Sequence, residues 1–476
     1  MVFLENIVNT ANGVLWSKYC LIPLLLGAGL FFTIRTGVVQ VGLLPQMFKA
    51  LGNGVNGERK STISSFEAFT VGLASRVGTG NLAGVAIAIV IGGPGAVFWM
   101  WVVAILGSSS AFIESTLAQL YKVKDPEVNF RGGPAYYMKQ GLNAKWMGVA
   151  FAILISISFG LIFNALQANT IVNATTNILK FTNNTENFDV IVGIMLVSAT
   201  GIILFGGTKR IADFTSKFVP IMALLYIILS VVIIVLRFDR IPYVFNMIIS
   251  NALDFKAALG GGIGITIIQG VKRGLFSNEA GMGSAPNAAA SATTSHPVYQ
   301  GLIQSLGVYI DTIVICSATA FIILVSDIPI DPTATDGISV TMDAFSAVLG
   351  QWSLYFLYIA ILLFAYSTIL GNYFYAQSNI EYLSNNAMAI TIFKIFLLIL
   401  VFFGSVASSD LVWAIADLAM ALMAILNVIA ILFLHKHAIF LLKDFKEQLR
   451  RGGNPTFNSS KYSEYKDFEI WNRDVE

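Results

Sequence analysis

Charge is what this chain has least of. Only 12% of its 476 residues are Asp, Glu, Lys or Arg, about half the share of a soluble globular protein. That is too little polar material to cover a water-exposed surface of this size, which excludes a soluble enzyme of two or three domains. Cysteine is scarcer still. Cys20 and Cys316 stand far apart in apolar stretches, so neither a disulfide framework nor a cysteine metal site is available. The three histidines, His296, His435 and His437, make no ligand cluster. Basic residues number 29 and acidic ones 27, for a net charge of +2 without a basic stripe, so nucleic acid is not a partner. The N-terminus also lacks a basic region ahead of an apolar run, since its first charges are Glu5 and Lys18, and no cleavable signal is expected.

What is present is apolar length. Hydrophobic residues make up 56% of the chain and the mean hydropathy is +0.74. Crossing a hydrocarbon core of roughly 30 Å takes about 20 helical residues. Runs 19–34, 146–179, 190–208, 218–236, 297–310 with 312–326, 344–380, 395–409 and 418–434 carry no Asp, Glu, Lys or Arg. With further spans at 66–92 and 258–290, about eleven helices are expected, one preliminary helix near 20–45 and then ten. No barrel-type alternation appears, which leaves an all-α membrane protein.

The most informative uncharged run, Val77 to Ile113, contains the turn Gly92-Gly93-Pro94-Gly95 and must hold two helices. Its first part, 77–91, would reach only about 22 Å, so that helix must start near Phe66. This draws Ala74-Ser75-Arg76-Val77-Gly78-Thr79-Gly80-Asn81 to membrane depth. A charge, two glycines and small polar residues suit an interrupted helix better than a continuous lipid-facing one. A second such stretch runs from Lys272 to Asn287 and contains Ser277-Asn278-Glu279 and Gly281-Met282-Gly283. Two Gly-interrupted apolar segments in matching positions of two halves point to an inverted-repeat transporter with its site at the breaks. The corresponding division is 1–65 (N-terminus, preliminary helix and loop), 66–240 and 241–434 (two five-helix repeats) and 435–476 (a basic surface helix and polar tail).

Lys49, Arg59 and Lys60, then Lys122 to Lys145, then Lys209, Arg210 and Lys217 lie in loops of one side, with Lys443, Lys446, Arg450 and Arg451 in the tail. The positive-inside bias makes that side and the C-terminus cytoplasmic, and an odd helix count puts the N-terminus outside. Lys180, Arg237, Arg240 and Lys256 fall on the outer side. Asn183-Asn184-Thr185 matches the glycosylation pattern by coincidence.

Gly78-Thr79-Gly80-Asn81-Leu82-Ala83 also fits a dinucleotide fingerprint, but that works only within a βαβ unit, and here it lies between membrane-length runs. Glycines that merely let helices pack remain a competing reading. Against it stand the doubling of the pattern and its company of Arg76, Asn81, Ser277, Asn278 and Glu279, because half-helix ends offer N–H groups to a carboxylate and carbonyls to a cation. Charges at membrane depth are Arg76, Glu114, Lys272, Arg273, Glu279, Asp311 and Asp417. Glu114, Asp311 and Asp417 read as buried ion pairs, while Glu279 fits an ion pair and a site equally. Asn164 and Gln167 share a helical face, and Phe364, Thr368 and Asn372 stand four apart beside Ser367. Hydroxyls at Ser367 and Thr368 can bond their own turn, or close an all-oxygen cation site with free carbonyls.

Several stretches together are similar to the alanine or glycine:cation symporter family: Val77 to Ala86, Phe130-Arg131-Gly132-Gly133-Pro134-Ala135, Gln167-Ala168-Asn169, Arg273 to Ser284, Ser295-His296-Pro297, Gln300-Gly301 and Ile310-Asp311-Thr312. The resemblance runs from about Ser64 to Leu434. It implies a five-plus-five inverted repeat preceded by one helix, and a plasma-membrane monomer that couples sodium entry to uptake of a small neutral amino acid. Sodium would be the coupling ion, with no further cofactor. It places substrate at Thr79, Gly80, Gln167, Phe276, Ser277 and Asn278, to which the break and the helical spacing add Asn81, Asn164 and Asn372. Sodium would lie among Ala74, Val77, Phe364, Ser367 and Thr368. Many members carry Trp where this chain has Asn372, which points to a larger or more polar substrate. Proton coupling is the alternative, an ion channel a more distant one, and no nucleophile, base or metal cluster supports an enzyme.

The loop charges lead to a first test. A cysteine introduced near residue 335 should react with an impermeant thiol reagent from outside, and one near residue 450 only after permeabilisation. The opposite pattern would reverse the orientation.

Overall fold

Hydrocarbon leaves backbone N–H and C=O groups no partner outside their own segment, and in the computed structural model almost every long apolar run is accordingly helical. The structure describes residues 2–17, 19–55, 62–126, 129–179, 188–253, 262–329, 337–384, 386–407, 409–462 and 468–472. Arg59, Lys60, Lys180, Asn183 to Thr185, Lys256 and the labelling position near 335 lie outside them. Among the described residues, seven helices are long and apolar enough to span a membrane: Ala96–Leu120, Lys145–Leu179, Thr208–Leu236, Pro297–Val325, Trp352–Leu383, Ala387–Val406 and Val412–Arg450. An eighth span is the pair Ser65–Arg76 and Gly80–Gly92, bent by 50° at its break. The other three expected segments are shorter helices, Leu21–Thr36, Phe188–Leu204 and the interrupted Gly262–Asn278.

Three expectations change. The preliminary helix does not run to residue 45. Gly37 takes a left-handed conformation (φ 64°) whose N–H caps the carbonyl of Ile34, and the chain turns into short helices Val39–Gly42 and Leu44–Val55. The uncharged run 344–380 is likewise divided at Gly350 (φ 83°) between Gly337–Leu349 and Trp352–Leu383. The third change concerns the tail. Its basic helix is the continuation of a 42-residue helix, Ser409–Arg450, and the chain beyond it packs back on the body. Phe457 and Trp471 are buried, Phe457 N–H donates to Ser295 O at 2.9 Å, and Trp471 Nε1 donates to Gln119 O at 3.1 Å. Beneath Trp471, Lys122 donates to Gln119 Oε1 and Ala292 O. Burial pushes its ammonium down to about 7.

The one sheet among the described residues is a hairpin of Val123–Asp125 and Asn129–Arg131. Burial separates the helices into two kinds. In Ser65–Arg76 and Gly80–Gly92 nearly every residue is enclosed, whereas Ala387–Val406 turns Ile395, Phe396, Ile399 and Phe403 outward. Lipid is as apolar as those side chains, so this outer face costs nothing in a bilayer.

Asp417 is the ion-paired carboxylate that the sequence suggested. It meets Lys272 Nζ at 2.5 Å and the two terminal nitrogens of Arg273 at 3.2 and 3.1 Å. The Arg273 guanidinium also lies over the Trp413 ring. This triad holds the second interrupted helix against the last span. Asp417→Ala leaves the buried Arg273 and the partly buried Lys272 without an anion and should cost about 3–5 kcal/mol. A melting temperature in detergent equal to that of the parent would show that the triad does not hold the helices.

Candidate functional site

Two helices break side by side. The first stops at Arg76, and Val77 (φ −82°, ψ 88°) leaves the helical region. The chain resumes through a π-type turn, Gly80–Gly84. The second stops at Asn278, passes Glu279 (φ 58°), Gly281 (φ 84°) and Gly283 (φ 82°), and resumes at Ala285. Glycine meets the left-handed requirement at 281 and 283, whereas Glu279 adopts it as a non-glycine residue, a strain kept only where neighbours hold the backbone. The breaks touch: a Cβ on Gly80 would lie 3.0 Å from Phe276 Cδ1. Phe276 in turn packs against Phe163 and Trp413, each 5.0 Å away between ring centroids.

At the first break, Thr368 Oγ1 lies 2.8 Å from Ala74 O, 3.2 Å from Val77 O and 2.9 Å from Phe364 O. A hydroxyl owns one proton, so one hydroxyl faces three carbonyl oxygens and can satisfy only one of them. Four oxygens converging with a single donor form a set suited to a hard cation. Gly78 closes this corner. Any side chain there would collide with Thr368 Oγ1 and approach Gln167 Oε1 to 3.0 Å. Ser367 stands apart from the cluster's centre, because its Oγ donates to Phe364 O at 2.9 Å and reaches neither Ala74 nor Val77.

Gln167 clamps the broken backbone: Oε1 accepts from Thr79 N at 3.2 Å and Nε2 donates to Thr79 Oγ1 at 3.1 Å. Asn81 Oδ1 accepts from Gly78 N at 2.9 Å, and its Nδ2 donates to Asp311 Oδ1 at 2.7 Å. Asp311 Oδ2 also accepts from Ser277 and Thr312, both at 2.8 Å. Asn278 turns away, bonding Thr312 Oγ1 and Ala280 N. Asn164 Oδ1 accepts from Asn372 Nδ2 at 3.0 Å. Thr79, Gly80, Gln167, Phe276 and Ser277 therefore gather at the meeting of the breaks. Asn164 and Asn372 form a pair beside them, while Asn81 and Asn278 are committed to neighbouring scaffold groups.

Glu114 and Asp311 make no ion pair within 4 Å among the described residues, contrary to the sequence expectation. Glu114 instead accepts from Gly281 N and Gly283 N, each at 3.1 Å, and from Asn427 Nδ2 at 2.7 Å. It stands in for the helical carbonyls that the second break has lost. The sequence flagged Glu114 as a charge at depth but gave nothing to link it to residues 281 and 283, more than 160 positions away. Ser75 and Thr312 lay in stretches that the sequence singled out but were not read as site residues, and Asn427 carried no signal beyond its polarity.

The sodium:alanine symporter family model matches residues 1–459. The chain is 48% identical to the probable sodium/glutamine symporter GlnT of Bacillus subtilis, over 98% of this chain and 96% of that one. It is 39% identical to the sodium/alanine symporter AgcS of Methanococcus maripaludis, over 93% and 97%. Among solved structures it is similar to MhsT in complex with L-phenylalanine, with a TM-score of 0.56 and 14% identity, over 81% of this chain and 99% of that one. The fold is thus that of an inverted-repeat amino-acid transporter.

Gln167→Ala removes both bonds to Thr79 and leaves the first break without its side-chain clamp. Amide exchange at Thr79 should quicken roughly five- to tenfold. Exchange at the parental rate would show that the break is held by other groups.

Proposed function

The chain belongs to the sodium:alanine symporter family, and on that premise we propose that it is a secondary symporter that moves sodium inward with a small neutral amino acid by alternating access. The observation that carries the reading is the oxygen cluster of Ala74, Val77, Phe364 and Thr368. Its two backbone carbonyls from the broken helix lie in the first repeat, and Phe364 and Thr368 lie in the second. A sodium ion there satisfies carbonyls that one hydroxyl proton cannot, and ties the repeats together only while it is bound. Ser367 joins by rotating its hydroxyl from Phe364 O. Linkage then requires the amino acid to raise sodium affinity by the factor by which sodium raises its own.

The amino-acid carboxylate fits the N–H groups around Thr79 and Gly80, with Gln167 as a polar partner and Phe276 and Ser277 as the opposing wall. Asn164 and Asn372 face the side chain, with Asn81 and Asn278 holding the two breaks in shape. Asn372 in place of a bulky ring leaves room and hydrogen-bonding capacity, so the accepted set extends beyond alanine and glycine to a larger polar amino acid such as glutamine. The protein works as a monomer in the plasma membrane, with its N-terminus outside and its C-terminus in the cytoplasm.

Uptake into proteoliposomes under an imposed sodium gradient is the direct test. Thr368→Ala should raise the sodium concentration for half-maximal uptake about tenfold, the equivalent of one charge-assisted contact. Asn372→Trp should remove glutamine from the set of competing amino acids and retain alanine. Uptake indifferent to sodium would refute the coupling, and an unchanged competition profile would remove Asn372 from the pocket.

A further inference from the structure

Four hydrogen-bonding side chains run in single file from the second break into the space beside the first. Glu279 Oε1 lies 2.8 Å from Ser75 Oγ, and Ser75 Oγ lies 2.6 Å from Asn372 Oδ1. Asn372 Nδ2 lies 3.0 Å from Asn164 Oδ1, and Asn164 Nδ2 lies 3.1 Å from Gly160 O. The direction of every bond is fixed from the far end. Gly160 O can only accept, so Asn164 presents its amide N–H₂ to it and its oxygen to Asn372. Asn372 must then donate through Nδ2 and turn its oxygen to Ser75. Ser75 has one proton, and Asn372 Oδ1 takes it. The remaining contact joins Ser75 Oγ to Glu279 Oε1 with no proton left on the serine to fill it. Two lone pairs facing each other at 2.8 Å in a dry interior would repel.

We propose that Glu279 is a proton-binding site, holding its proton on Oε1 and donating it to Ser75, and that the relay through Asn372 makes amino-acid binding depend on that proton. The neighbouring acids supply the contrast. Glu114 and Asp311 each accept three bonds from groups that have a proton to give. Glu279 receives one such bond, from Ser284 Oγ at 2.6 Å. The charges around it agree. Arg76 from the first broken helix, Glu114 from Ala96–Leu120 and Asp311 from Pro297–Val325 share its surroundings with Tyr375 from Trp352–Leu383. Arg76 is the one cation in this group. Three ionised carboxylates around one guanidinium would leave two excess negative charges buried together, and a proton on Glu279 leaves one.

The proton on Glu279 leaves the hydrogen of Ser75 on Asn372. Once Glu279 loses it, Ser75 turns that hydrogen to the carboxylate, and Asn372 Oδ1, still held in place by Asn164, faces a serine lone pair at 2.6 Å, which pushes the amide out of the position that meets the amino acid. Amino-acid affinity should therefore fall about tenfold as pH rises through the titration of Glu279, the loss expected for one hydrogen bond. The affinity effect rests on Asn372 facing the substrate, as proposed above, whereas the proton itself does not.

Infrared difference spectroscopy and binding measurements separate the two. At neutral pH the full-length protein should show the carbonyl stretch of a protonated carboxylic acid. Glu279→Gln should remove it, and Ser75→Ala, which keeps the carboxyl but takes away its acceptor, should shift it. Glu279→Gln carries N–H where the acid carried O–H, so its amino-acid affinity should stay flat with pH. A carboxylic-acid band that neither variant alters would overturn the proposal. Should Glu279→Gln fail to fold, the Ser75→Ala shift alone decides the matter. A band that responds as expected, beside a wild-type affinity that ignores pH, would refute the relay and leave Asn372 outside the pocket.

Discussion

Everything at the centre of this molecule follows from backbone groups that a broken helix leaves without partners. In water an interrupted helix is cheap, because solvent takes over its N–H and C=O groups. In a bilayer each orphan costs several kcal/mol, so a break survives only where side chains replace the missing turn. Glu114 does so for the N–H groups of Gly281 and Gly283, Asn81 for Gly78, and Gln167 for Thr79. The carbonyls of Ala74 and Val77 are the exception. Thr368 offers them one proton between two, and this deficit leaves an oxygen cluster whose chemistry suits a cation.

The replacements come from distant parts of the chain, which explains what could and could not be read in the sequence. The breaks themselves were legible, because glycine pairs and a charge inside apolar runs conflict with a continuous lipid-facing helix. The oxygen cluster around Thr368 was legible in part. Thr368 lies where the spacing put it, but Ser367, its neighbour in sequence, points to its own helix, and rotamer choice leaves no trace in spacing. The partners of Glu114 and Asp311 were not legible. A carboxylate at depth can be neutralised by an arginine or by several N–H and O–H donors, and the sequence alone carries the same letter for both. Asp417 took the first route with Lys272 and Arg273, and Glu114 took the second.

The boundaries that moved have local causes. Gly37 and Gly350 end helices in left-handed conformations, and neither is distinguishable in the sequence from the many glycines that sit inside helices here. The tail read as a detached surface element because its charges dominate its composition. Phe457 and Trp471, with Phe468 and Ile470, are scattered through a polar stretch without a period that would mark them, and they are enough to dock it.

The outward face of Ala387–Val406 has a consequence for how the molecule can move. Only 22% of its apolar window is buried within the protein, so most of its side chains touch acyl chains. Sliding or tilting such a helix exchanges one hydrocarbon neighbour for another, at nearly equal free energy. The enclosed helices at the breaks cannot shift without parting shaped surfaces. Resistance to motion is thus concentrated in the interior, where the two breaks meet, and the rim yields like a bearing running in oil.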